Sequence, residues 1–78
     1  MHIELLEPAQ AEQDLKGLLE PFYGSYYGMG FRVAEDYPDV YFILTDRDRK
    51  FYFRSDFDTW QNFTNEEIAW KCMEIAYH

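Results

Sequence analysis

Three segments, at residues 31–35, 40–45 and 50–55, the last two rich in Phe, Tyr, Val and Ile, follow one another with only four residues between neighbours. Side chains of these types suit a pleated, half-buried surface, so all three read as strands. A link of four residues cannot bring a strand round to lie parallel with its predecessor; that takes about a dozen residues or more. The middle of the chain is therefore confined to an antiparallel meander. Asp36-Tyr37-Pro38-Asp39 and Asp46-Arg47-Asp48-Arg49 form its turns, where Asp and Pro favour chain reversal. In the third strand Phe51 and Phe53 face one way, and Tyr52 and Arg54 the other.

Helical patterns flank the meander. Ala11, Leu15, Leu18 and Phe22 recur at spacings of four, three and four, the face of a helix that starts at Pro8. Glu12 and Asp14 suit its N-terminal half, and Gly17 weakens it by about 1 kcal/mol relative to alanine. Pro21 turns Glu20 away from helical angles, so the helix is expected to stop there. Residues 23–30 hold three glycines and three tyrosines and read as a loop, either folded over the core or used for recognition. Thr64 followed by Glu67 makes a capping box for a helix from Thr64 to Tyr77. Ile68, Cys72 and Ile75 form its buried stripe, with Ala69 and Ala76 beside them. Trp70, Met73 and Tyr77 lie on its flank. Residues 3–6 are a short strand or an irregular lead-in. The expected fold is α+β: a three-stranded antiparallel sheet with two helices on one face, in the order α-β-β-β-α.

Residues 1–78 are expected to form one domain. Its sixteen aromatic rings bury roughly 150–250 Å² each when enclosed, more than so short a chain can cover, so some should reach the surface. No apolar run is long enough to span a membrane, and Met1-His2-Ile3-Glu4 lacks the basic and apolar opening of a secretion signal. The single cysteine, Cys72, allows no internal disulfide and fits a reducing compartment. Asn62-Phe63-Thr64 matches a glycosylation sequon by chance if no secretion occurs. A cytoplasmic protein is the expectation.

The residues give little support to catalysis or to cofactors. His2 and His78 stand at opposite ends, and no second cysteine offers a zinc spacing. Asp46-x-Asp48 opens like a calcium loop but has Phe51 where glycine is needed and Phe57 where glutamate is needed. Ser25, Ser55 and Cys72 have no histidine near them in sequence, and Cys72 falls on the apolar side of its helix. The glycines at 24, 28 and 30 do not have phosphate-loop spacing. The expectation is no enzyme, no catalytic residues, no metal and no cofactor.

Charge is more informative. The net charge of −8 opposes direct contact with nucleic acid or an anionic membrane and favours a protein partner with a basic surface. Residues 46–55 are locally basic (Arg47, Arg49, Lys50 and Arg54), while acids dominate on either side. These cations either pair with neighbouring acids or mark a small positive spot. Asp36, Asp39, Asp56, Asp58, Glu66 and Glu67 are the candidate partner-binding acids, with Tyr26, Tyr27 and Trp60 as desolvating anchors. In length, charge and aromatic content the chain is similar to the acidic inhibitors of phages and mobile elements: anti-CRISPR, anti-restriction and nuclease immunity proteins. That likeness of bulk type implies an inhibitor or nucleic-acid mimic that docks on a basic, nucleic-acid-facing surface of an enzyme or effector. The alternative is a structural subunit that forms a homodimer or larger homo-oligomer through exposed aromatics.

Overall fold

The computed structural model describes residues 1–19 and 22–78, with Phe22 described by its backbone alone. The elements in chain order are β1 (Ile3–Leu5), α1 (Pro8–Asp14), β2 (Phe22–Tyr26), β3 (Met29–Asp36), β4 (Asp39–Asp46), β5 (Arg49–Asp56), α2 (Phe57–Asn62) and α3 (Asn65–Ala76). The strands form one antiparallel sheet in the order β1-β5-β4-β3-β2.

The meander is present, and each of its strands extends to the residue that borders the turn. The expectation of a three-stranded sheet with two helices is corrected: among the described residues the sheet has five strands and there are three helices. Both added strands had a local reason to escape notice. β1 is three residues long, and its pairing depends on Ser55, Arg54 and Phe53, about fifty residues away. β2 lies in the glycine-rich stretch expected to be a loop. There Gly24 takes φ +121° at a register shift of the β2–β3 ladder, and Tyr27 and Gly28 (φ 55° and +79°) form a two-residue turn. The glycines thus build a bulged hairpin, since the type I′ form of a two-residue turn takes positive φ at both central positions.

The third helix, α2, follows β5 directly. Asp56 caps it, its carboxylate accepting from the Thr59 N–H at 2.8 Å. At α3 the sequence pattern is realised: Thr64 Oγ1 accepts from Glu67 N–H at 3.1 Å, and Glu67 Oε1 accepts from Thr64 N–H at 2.9 Å. α1 is shorter than its apolar spacing suggests. It ends at Asp14, and Gly17 (φ +84°) takes a conformation outside the helical region. The expected end at Glu20 and Pro21 lies outside the described residues.

Alternation along the strands splits the core in two. Phe31, Val33, Val40, Phe42, Leu44 and Phe53 face α2 and α3, enclosed with Ile68, Ala69 and Cys72. Ala34, Tyr41 and Ile43 face the other way and pack with Leu6, Ala11 and Leu15. The helices therefore lie on both faces of the sheet, not on one. As expected, Phe51 and Phe53 share the α3 face, with Tyr52 on the α1 side. On the α1 side Arg54 bridges Glu4 at 3.0 Å and Asp14 at 3.7 Å.

Candidate functional site

The fold does not bring the nine candidate residues together: the aspartates gather at one end of the sheet, Tyr27, Glu66 and Glu67 lie at the other, and Trp60 packs over its middle. β3 runs eight residues from the Tyr27-Gly28 turn to the Tyr37-Pro38 turn, about 25 Å at strand rise. The Tyr37–Pro38 peptide at the far turn is cis.

Four acids gather at the Tyr37 end. Asp36 lies opposite Asp39, and Asp39 lies opposite Asp56, so three aspartates stand side by side on three adjacent strands. Strands lie about 4.8 Å apart, and residues directly opposite share a face, so the carboxylates make a lateral row. Asp58, in the first turn of α2, adds a fourth charge that is exposed, as is Asp36. None of the four makes an ion pair among the described residues.

Two of these aspartates have local structural duties. Asp36 occupies the first position of its turn, where Asp is favoured. Asp56 is the N-cap of α2, and the Thr59 backbone N–H holds its carboxyl below the usual carboxylate range. Asp39 closes the same turn as Asp36, caps no helix, and stands between the other two. Its charge is felt two residues along its own strand: the Tyr41 hydroxyl is raised above the ordinary tyrosine range first by burial, then by Asp14, Asp39 and Asp36.

The ring at this end is one the sequence reading used only as a turn residue. Tyr37 is 79% exposed and touches Phe57 edge-on, with ring centroids 5.5 Å apart. Its sequence signal was its position between two acids in a turn too short to fold a ring inward. Beside the row, Met1, His2, Asp56, Asp58, Thr59, Asn62 and Phe63 line a shallow hollow of about 330 Å³.

The remaining candidates lie elsewhere. Tyr27 donates its hydroxyl to Glu66 at 3.2 Å and meets the Trp70 ring at 5.5 Å. Desolvation, then Glu66, raises the Tyr27 hydroxyl above the ordinary tyrosine range. Glu67 is committed to the capping box, which lowers its carboxyl. Tyr26 packs on Phe31 at 5.7 Å. Trp60 is half-buried between Tyr23, at 5.4 Å, and Phe42, at 6.1 Å. Glu66, Glu67 and Tyr27 thus belong to the β2–β3 turn and the start of α3, apart from the aspartate row.

The turn between β4 and β5 is at that same end, and it is basic. Among the described residues Arg47, Arg49 and Lys50 make no ion pair; the expected pairing with acids is carried by Arg54 alone in this segment. Arg49 instead lies 4.9 Å above the Phe51 ring and 5.3 Å from Tyr77, whose hydroxyl donates to Asp46. The β4–β5 turn is thus a local cationic spot at an end that also carries Asp46, Asp48, Glu66 and Glu67.

Cys72 is fully buried in the core, and burial pushes its thiol up, away from the reactive thiolate. No helix among the described residues is long and apolar enough to cross a membrane. No protein-family model, curated protein or solved structure matches the chain.

Proposed function

We propose that this protein is a binding module that docks its aspartate end on a basic, nucleic-acid-facing surface of an enzyme or effector complex and so keeps nucleic acid away. The supporting observation is the Asp36–Asp39–Asp56 row. Like charges directly opposite one another destabilise a sheet, and an uncharged side chain at Asp39 would relieve both repulsions. Conflict of that kind between a local choice and the stability of the fold is expected where a residue serves a partner. Asp58 enlarges the row, and Tyr37 supplies an exposed ring that could be desolvated on contact.

The test is capture of a nucleic-acid-processing enzyme on the immobilised chain. Retention should collapse between about 50 and about 300 mM salt, because steered contacts between exposed charges are screened over that range. Double-stranded DNA should compete, and Asp39→Lys should abolish capture. Retention indifferent to salt, DNA and Asp39→Lys together would remove the proposal.

A second reading has its own support. Tyr27 and Trp70 are each about half exposed and in contact, a ring pair on which a second copy of the chain could close. A stable dimer on a sizing column that Trp70→Ala converts to monomer would favour this reading.

A further inference from the structure

β1 pairs with only part of its neighbour. Ile3, Glu4 and Leu5 lie opposite Ser55, Arg54 and Phe53, and one more bond follows, from Leu6 N–H to Tyr52 C=O at 2.9 Å. The chain then leaves the sheet at Glu7 and enters α1 at Pro8. β5 continues beyond that point through Phe51, Lys50 and Arg49. Backbone direction alternates along an antiparallel strand, and Tyr52 turns its carbonyl outward. Lys50, two residues away, therefore turns its N–H and C=O to the same open side.

A groove of about 460 Å³ lies along this uncovered stretch, bordered by Leu5, Leu6, Pro8 and Phe51 and by the charged Glu7, Arg49 and Lys50. Leu5 is 46% exposed, a large apolar side chain left half uncovered beside the groove. The cations occupy both faces of the strand. Lys50 lies 5.9 Å from the Tyr52 ring on the α1 side, and Arg49 covers Phe51 on the α3 side.

We propose that the open half of β5 receives an extended, acidic peptide segment of a partner protein as an added sixth strand. Backbone hydrogen bonds to Lys50 would hold the segment. Its successive side chains would project alternately to the two faces, meeting Lys50 on one and Arg49 on the other. Charge selects the occupant. A second copy paired through the same edge would bring Arg49 and Lys50 against their own counterparts, a repulsion that commonly protects sheet edges from self-association. An acidic strand meets the only part of this otherwise acidic chain where three cations lack ion-pair partners among the described residues. This surface is at the opposite end from the aspartate row, so either can be lost without the other.

The test is a titration of the intact protein with a decapeptide repeating Asp-Asp-Val-Val, which places acids on both faces of a strand, followed by amide NMR and hydrogen exchange. The Lys50 amide should shift and its exchange should slow by about tenfold or more at saturation, as a newly paired edge amide requires. The matching Lys–Val decapeptide should bind about tenfold more weakly or worse. The double variant Arg49→Glu with Lys50→Glu should reverse that preference, with folding verified by its unchanged β3–β4 amides. Equal binding of the two peptides, or protection confined to β2, would overturn the proposal. So would failure of the acidic peptide to bind the folded wild-type chain.

Discussion

Asp39 carries the sharpest residue-level expectation, because its contributions to stability and to binding have opposite signs. It faces an aspartate on each side, closes the turn opposite Asp36, and caps no helix. Cross-strand pairs are worth roughly 0.2–1 kcal/mol, so Asp39→Asn should raise unfolding stability by about that much in urea denaturation while weakening partner capture. A loss of stability in this variant would assign Asp39 a structural duty and undercut the row as a functional feature. Asp56 behaves differently. Its folded carboxyl titrates below the unfolded one, so its contribution is fully present above the unfolded value near pH 4 and fades as pH falls through the folded value. Acid titration of stability should therefore flatten in Asp56→Asn, an effect readable by circular dichroism between about pH 5 and pH 2. The residue types at these positions were visible in the sequence, and the acids at 36, 39, 56 and 58 were singled out there. Their alignment was not visible, because lateral register depends on how many residues each turn consumes. Tyr37 was missed as an anchor for a related reason: a turn residue's exposure follows from the packing around it.

Among the elements, those with complete local signals were the readable ones. α3 had its cap, its staggered apolar stripe and its length in one continuous segment, and the structure keeps all three. Thr64→Ala should cost about 1 kcal/mol, measured by thermal or urea unfolding, since it removes the hydroxyl that receives the Glu67 N–H. The strands of the meander were equally readable because alternation and short turns agreed. α1 was overextended: Ala11, Leu15 and Leu18 have helical spacing, yet Leu18 follows Gly17, which has already left helical geometry. β2 was lost among its glycines, where Gly24 and Gly28 provide a bulge and a turn instead of a loop. α2 was missed because its six residues directly continue β5, and Asp56 serves both as the end of a strand and as the cap of a helix. Cys72 supplies a probe of this layer. Its thiol should resist an aromatic disulfide reagent at about pH 8 in the folded protein and react at once in denaturant, since only the thiolate attacks. Prompt labelling under native conditions would mean that α3 is not seated as described.

At the scale of the whole molecule, the sheet separates its charges by the length of its strands. The four aspartates and Tyr37 occupy one end, and Arg47, Arg49 and Lys50 the other. A net charge of −8 conceals both the aspartate row and the small cationic spot at the far turn, an arrangement only the topology creates. β1 has a separate consequence for kinetics. Its pairing with β5 closes a loop of about fifty residues and rests on three residue pairs, whereas β2, β3 and β4 pair with their immediate successors. Contacts so remote in sequence form after local hairpins and contribute little cooperative depth, so β1 is the strand that assembles last and detaches first. Each transient release bares the full outer margin of β5, so the extent of that margin sets the length of chain able to dock there, and the frequency of release sets how often it does.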